Sequence, residues 1–287
     1  MLLKKIIISA FWLLVFVAVL SPFTELEPVK QLDSLEEWQK PSRITALNRA
    51  DQEKVLQRLA YTQPLPAFKG LPDFNLINDT TEKKRSFFNY LRPYVKRENA
   101  RLRALRQQLL EIQDKKQKHM RMSVEEYAFL YSLYDEFRME VAETDENMLE
   151  ELLRRVDVIP ESLVLMQAAN ESAWGTSRFA VEGYNFFGQW CFREGCGLIP
   201  QSRLEGQTHE VARFDSPAAS INSYFYNLNA FHTYEPLRAI RARLRQEGKP
   251  VRGETLAAGL GAYSERGEEY IAEISGMIRF NRKLLEE

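Results

Sequence analysis

Pro160-Glu161-Ser162-Leu163-Val164-Leu165-Met166-Gln167-Ala168-Ala169-Asn170-Glu171-Ser172-Ala173-Trp174-Gly175 is the stretch on which the reading of the chain turns. Pro160 suits a first helical position, where its missing N–H costs nothing, and Glu161 beside it complements the positive end of the helix dipole. Gly175 suits a left-handed stop just past a last turn. The spacing predicts a largely apolar helix of about four turns, and small Ala168 and Ala169 let it pack closely inside a domain. One late carboxylate, Glu171, sits in the last turn. There the negative dipole end opposes ionisation and apolar neighbours such as Trp174 desolvate the group, so its pKa is expected to rise. A carboxylic acid that keeps its proton near neutral pH is what general-acid cleavage of a glycosidic bond needs. The competing reading is a surface glutamate at a helix end.

Downstream run Thr176-Ser177-Arg178-Phe179-Ala180 and Asn185-Phe186-Phe187-Gly188-Gln189-Trp190, and late in the chain Ala262-Tyr263-Ser264-Glu265 with Tyr270 beyond. The block from Glu171 to Ala180, followed by Asn185 to Gly188, resembles the signature of the bacterial peptidoglycan glucosaminidases, glycoside hydrolase family 73. Those proteins carry a similar Glu-Ser-x-Trp-Gly block and then an Asn-x-Phe-Gly block. The late segment is similar to the family's Tyr-Ala-Thr-Asp. The resemblance covers roughly residues 124–287. It implies an α+β, mostly α fold: a lysozyme-like domain with a small β-hairpin. It also implies cleavage of the β-1,4 bond after N-acetylglucosamine in cell-wall glycan strands. On it Glu171 matches the general acid and Tyr263 the late tyrosine near the cleavage site. Asn185, Phe187, Gly188 and Trp190 match positions that shape the sugar groove, with Trp174 and Tyr224 as further groove candidates. Aromatic faces stack on sugar rings and an asparagine bonds acetamido groups. At least one of Phe186 and Phe187 is expected to be plain core.

Glycosidases usually need a second group, a base for water or a stabiliser of the oxocarbenium charge. In the family it commonly sits on a hairpin after the helix, here between Trp190 and Phe214, where the acids are Glu194, Glu205 and Glu210. Glu210, in the plausible strand Thr208-His209-Glu210-Val211-Ala212, is the first choice. A solvent-facing strand residue is the alternative, and assistance by the substrate's own acetamido group would remove the need for a carboxylate base. Cys191 and Cys196 flank the turn-like Phe192-Arg193-Glu194-Gly195 and are expected to be bridged in an oxidising compartment, two buried thiols being the alternative. The spacing is not that of a Cys-x-x-Cys redox pair.

The chain has 287 residues, 45% hydrophobic and 28% charged, with 39 Lys+Arg against 40 Asp+Glu. That excludes a collagen-like or largely disordered chain. The net charge of -1 argues against a nucleic-acid binder working through bulk electrostatics. Two cysteines and three histidines, His209 and His232 isolated among them, leave little for a metal centre, so no metal and no cofactor are expected. Lys4 and Lys5 precede an apolar run from Ile6 to Leu20, broken only by Ser9. Residues 1–23 therefore read as a signal peptide or membrane anchor, which places the remainder in a bacterial periplasm, tethered to the inner membrane if the segment is retained.

Residues 24–121 read as a helical N-terminal region ahead of a catalytic domain at 122–287. Pro28, Pro41, Pro64, Pro66 and Pro72 predict short helices and extended linker in its first part. Phe88, Leu91, Val95, Leu102, Leu105, Leu109 and Ile112 then predict a long amphipathic helix with a break or kink at Pro93. That helix is basic, and the helical stretch from Val124 to Asp157 is acidic. The two could pair with one another, or the basic face could meet anionic phospholipid or glycan. Further helices are expected after Ser216-Pro217, through Leu237, Ile240 and Leu244, and from about Gly267. The run Arg238, Arg241, Arg243 and Arg245 is expected to be a solvated face.

Three functions fit these readings. One is a peptidoglycan hydrolase with Glu171 as proton donor. The second is a lytic transglycosylase on the same substrate, and the third a non-catalytic glycan-binding or scaffold protein.

Overall fold

The computed structural model describes residues 48–68, 70–140, 147–201, 203 and 209–287. The segment 1–23, read as signal or anchor, lies outside the described residues. Among those residues no helix is long and apolar enough to cross a membrane.

Helix α1 (Arg49–Leu59) starts where the Asn48 side chain accepts the Asp51 N–H. An extended strap follows, with a 3-10 turn at Phe74–Leu76, and leads into α2 (Thr80–Gln117). Asp79 caps α2 by accepting the Glu82 N–H at 2.7 Å. The expected break at Pro93 does not occur, and α2 runs unbroken for 38 residues. An interior proline costs about 3 kcal/mol. Here the apolar seam continues on both sides of it, with Leu91 and Val95 fully buried, and that burial outweighs the lost hydrogen bond.

The acidic stretch divides into α3 (Val124–Glu136), opened by a reciprocal Ser123–Glu126 capping box, and α4 (Met148–Arg155). Its charges meet those of α2. Arg101 Nη2 lies 2.7 Å from both Glu136 oxygens, and Lys115 pairs with Glu126 at 2.5 Å. Mutual pairing, one of the two outcomes the charge pattern allowed, is what these groups adopt.

Helix α5 (Glu161–Glu171) is buried at every position from Leu163 to Ala169. It is a core helix, packed between α2 and the later helices α9 (Gly253–Leu256) and α10 (Glu268–Phe280). It ends at Glu171, earlier than the four turns expected, because the chain then turns left-handed. Helix α6 (Arg178–Gly183) leads into a three-stranded sheet of order β1-β3-β2, built from β1 (Trp190–Cys191), β2 (Gly197–Leu198) and β3 (Glu210–Ala212). Both outer strands run antiparallel to β3, with Trp190 and Leu198 each opposite Val211. Helix α7 (Pro217–Ala230) carries Ile221, Tyr224, Phe225 and Leu228 inward as the spacing predicts. Helix α8 (Glu235–Gln246) and the terminal α11 (Arg282–Glu286) complete a mostly α fold with one small sheet. A single cluster of buried apolar side chains extends from Val55 to Ile278. The helices before residue 122 therefore share a core with those after it.

The arginine run on α8 is not a solvated face. Arg238 and Arg241 are 2% and 1% exposed. Arg238 Nη1 donates to the Leu228 carbonyl in the last turn of α7 and to the Phe231 carbonyl just beyond it. Arg241 donates to the carbonyls of Arg154, Asp157 and Val158 at 2.8–3.1 Å, closing the end of α4. Burial pushes both guanidiniums down to about 10, which leaves them protonated at neutral pH. Beside Arg241, the buried Asp157 carboxylate takes a bidentate bond from Arg245. Burial would raise that carboxyl, but Arg241, Arg245 and Arg106 outweigh it and hold it below the usual range.

Replacing Arg241 by Met keeps the volume and removes the donors, stranding four carbonyl contacts and part of the compensation of Asp157. Breaking a buried charged network of this kind costs about 3–5 kcal/mol. Urea denaturation of Arg241→Met is expected to show a loss of that size, and a change under about 1 kcal/mol would contradict the buried-staple reading.

Candidate active site

Three consecutive residues after α5 adopt positive φ: Ala173 at 49°, Trp174 at 60° and Gly175 at 79°. Left-handed backbone costs a non-glycine residue roughly 1–2 kcal/mol, so the turn needs support. Trp174 N–H donates to Ala169 O at 2.8 Å, and Ser172 Oγ accepts the Gly175 N–H while donating to Ala168 O. The Trp174 ring packs on Phe87 and Phe88 of α2 at 5.9 and 5.5 Å between centroids. A Cβ on Gly175 would lie 2.7 Å from the Phe74 ring, so the glycine is needed for space as well as for φ. The segment before residue 122 thus forms the back of this turn.

The turn leaves Glu171 as the last residue of α5, half-buried, with Oε1 accepting the Tyr270 hydroxyl at 2.7 Å. Burial pushes its carboxyl above the ordinary range. The hydrogen bonds from Tyr270 and Asn170 pull the other way, Glu273 adds to the rise and Arg266 opposes it. Tyr270 is held in turn by Gln167, whose Nε2 donates to its oxygen at 2.9 Å, and Gln167 Oε1 accepts from Tyr224 at 2.5 Å. Burial raises both phenols, helped by the Glu171 carboxylate at Tyr270 and by Tyr234 and then Glu171 at Tyr224. Both remain neutral donors.

Tyr263, the late tyrosine picked out by the sequence, sits one ring behind the acid. It stacks on Tyr270 with centroids 5.5 Å apart and planes at 9°, and its hydroxyl donates to Phe187 O at 2.9 Å. The Asn185–Gly188 block builds a turn against the acid. Asn185, 1% exposed, donates to Gln189 O and Ala212 O and accepts from Phe187 and Gln189 N–H. All four of its side-chain capacities are used inside the protein, which makes it a frame for this turn. Phe187 and Tyr224 are likewise buried, and stack on each other with centroids 4.1 Å apart. Of Phe186 and Phe187, expected to include at least one core residue, both are core. Gly188, at φ 64°, faces the acid: a Cβ there would lie 3.6 Å from Glu171 Oε2. Trp190 is 54% exposed and rests on His209 with centroids 4.3 Å apart, an open ring on the outer strand.

Glu210 is occupied elsewhere. It is buried on β3, and its two oxygens accept the Gly195 and Gly197 N–H groups at 3.0 and 2.7 Å. Those backbone donors hold its carboxyl below the ordinary range. Cys191 and Cys196 are joined as a disulfide, with Cα atoms 6.2 Å apart, and the loop they close is the one Glu210 stitches. Cys191, Cys196 and Glu210 form a cluster of potential ligand atoms among the described residues. Both sulfurs are committed to the disulfide, so the donor set does not suit a metal ion.

The partners Gln167 and Tyr270 were not singled out as site residues by sequence reasoning. A signal for Gln167 existed: it is the only polar residue in an apolar helical run, four positions before the acid and so on its face. For Tyr270 the spacing from Tyr263 gave no means of choosing between the two rings.

A family profile described as mannosyl-glycoprotein endo-beta-N-acetylglucosaminidase matches residues 146–282. The protein named Protein bax of Escherichia coli (strain K12) is 30% identical over 233 residues, which is 81% of this chain and 82% of that protein. No solved structure matches the chain.

A carboxyl whose folded-state pKa is raised is stabilising only while it stays protonated. The cost appears as pH climbs from the unfolded-state value toward the folded one, and persists above it. Glu171→Gln keeps the Tyr270 bond and removes that cost. Its melting temperature is expected to exceed that of the parent at pH 7 and to converge with it below about pH 4. A Gln variant that melts lower at pH 7 would contradict a desolvated acid.

Proposed function

The chain is a Bax-type member of the glucosaminidase family, and from that membership we propose that it hydrolyses the β-1,4 bond after N-acetylglucosamine in peptidoglycan, with Glu171 as general acid. The observation that carries this reading is the half-buried carboxyl at the end of a core helix, its pKa raised by burial and one oxygen fixed by a neutral phenol. Protonated Glu171 gives its hydrogen to the leaving glycosidic oxygen as the bond to the anomeric carbon breaks. Water then supplies hydroxyl to that carbon, and its remaining proton returns to the Glu171 carboxylate. Among the described residues no second carboxylate hydrogen-bonds to Glu171 or to its tyrosine partners. With the Glu210 carboxylate committed to the Gly195 and Gly197 amides, we assign the developing positive charge to the substrate's acetamido oxygen, the substrate-assisted route that some glycosidases take. In this scheme Trp190 offers its open face to a sugar ring, and Glu210 keeps the neighbouring loop in shape.

The commitment of Glu210 to the loop also favours a second reading, a lytic transglycosylase, in which a hydroxyl of the substrate replaces water as nucleophile. The two differ in product composition, since only hydrolysis adds a water. For the compartment, we place the working domain outside the cytoplasm, exported through residues 1–23 and inner-membrane-tethered if they are retained. The Cys191–Cys196 disulfide supports an oxidising setting.

Purified sacculi digested with the parent protein are expected to release soluble muropeptides whose new ends carry the added water by mass spectrometry. Glu171→Gln, with an unchanged circular dichroism spectrum, is expected to lower release by at least about a hundred-fold, the scale of a lost general acid. Full release by that variant removes Glu171 from the chemistry. Ends lacking the water select transglycosylation, and sacculus binding without release selects an inert glycan binder. Glu210→Gln is expected to leave turnover within a few-fold of the parent while lowering the melting temperature, because its carbonyl oxygen satisfies one of the two amides and its NH2 opposes the other. A collapse of turnover in a folded Glu210→Gln would restore Glu210 as the second catalytic group.

A further inference from the structure

Within the buried run of α5 from Leu163 to Ala169, Gln167 is the one side chain that carries nitrogen or oxygen, and it is 0% exposed. Its amide lies between two phenols, taking the Tyr224 hydrogen at Oε1 and giving one from Nε2 to the Tyr270 oxygen. A phenol has a single hydrogen to give. Tyr224 is fully buried, and its only hydrogen-bond acceptor among the described residues is Gln167. The amide must therefore present oxygen to Tyr224 and nitrogen to Tyr270. Once Tyr270 accepts from that nitrogen, its own hydrogen goes to Glu171 Oε1, 2.7 Å away.

We propose that Gln167 is a positioning residue for the acid: by fixing the direction of the Tyr224–Gln167–Tyr270 relay it makes Tyr270 donate to Glu171 Oε1 and so leaves Oε2, beside Gly188, as the oxygen that carries the transferable proton. The inference rests on the reading of Glu171 as general acid. Neighbouring stacks keep the relay in register, Tyr224 on Phe187 at 4.1 Å and Tyr263 on Tyr270 at 5.5 Å. Without Gln167 the Tyr270 hydroxyl is free to turn, and the proton of Glu171 is shared between its two oxygens, one of which faces the protein.

Titration of Glu171 reads the relay directly. The charged or ionisable groups that act on it are Tyr270 and Glu273 of α10, Arg266 ahead of that helix, Tyr263, Tyr224 of α7 and Tyr234. The variants below leave Glu273 and Arg266 in place. A phenol that donates to the carboxylate favours the ionised form, so loosening it moves the Glu171 midpoint upward.

The experiment is a carbon-13 NMR titration of carboxyl-labelled glutamate in the full chain, with the Glu171 signal assigned by its loss in Glu171→Gln. Gln167→Met is expected to raise the midpoint, as Tyr270→Phe does, and the double variant to go no further than Tyr270→Phe alone. On sacculi, kcat of Gln167→Met is expected to fall on the order of ten-fold with KM within about two-fold, and the alkaline limb of its pH profile to move up with the midpoint. A folded Gln167→Met with the parental midpoint overturns the relay, as does a shift equally large in the Tyr270→Phe background. Should the Met variant fail to fold, Tyr224→Phe frees the amide to turn while keeping Gln167, and the same upward shift is expected. An unchanged midpoint there overturns the proposal too. Parental protein without activity on sacculi would defeat the hydrolase reading alone, since the titration needs no turnover.

Discussion

Taking one carboxyl half out of water is the constraint on which the arrangement depends. Glu171 ends a helix whose preceding seven positions from Leu163 to Ala169 are buried, so its environment is set by the core. Desolvation favours the protonated form, and a phenol donating to one oxygen favours the ionised form. The first effect prevails, while the second fixes geometry. A buried acid without the phenol would have no orientation, and a fully hydrogen-bonded acid would hold no proton to give. Glu210 shows the second extreme in the same molecule: two backbone donors pull its carboxyl down and commit it to structure.

Holding a carboxyl in that condition requires a rigid surround, and the surround comes from distant parts of the sequence. Helix α2 supplies Phe87 and Phe88 beneath the Trp174 turn, and the strap before it supplies Phe74 over Gly175. From the other end of the chain α10 supplies Tyr270. Three consecutive left-handed residues persist because these aromatics and the Ser172 hydrogen bonds over-determine them. Backbone strain therefore sits directly after the acid, where it stops the helix abruptly and leaves the carboxyl at its end. The helices preceding residue 122 are part of the support for the site, since they share its core.

Much of this was legible in the sequence because helical periodicity and turn chemistry are local. The seam from Phe88 to Ile112, the helix start at Ser216-Pro217, and the helix leading to Glu171 follow from spacing and local residue chemistry. What escaped was the direction in which polar side chains point once buried. Asn185 and Tyr224 suit a sugar by residue type, yet both are committed to the protein interior. Arg238 and Arg241 read as a solvated run because four arginines on one short helix usually are one. The carbonyls at the ends of α4 and α7 that draw them inward lie in other elements, those of α4 more than 80 residues away in sequence. Pro93 read as a break because local cost was weighed without the apolar seam on both sides of it.

Buried polar groups in this fold thus fall into two sets that obey the same rule with different results. Arg238, Arg241 and Asn185 donate to backbone carbonyls, which rigidifies helix ends and the Gly188 turn. Gln167, Tyr224 and Tyr270 form a chain that is also satisfied at each link, but its last link ends on a group that exchanges a proton. A fully satisfied chain has a direction, because each hydroxyl has one hydrogen and the amide has distinct ends. That direction reaches Glu171 from the interior and leaves the opposite oxygen, next to the side-chain-free Gly188, turned away from the relay. The glycine matters for the same reason as the glutamine: one fixes the inward oxygen, and the other leaves room at the outward one.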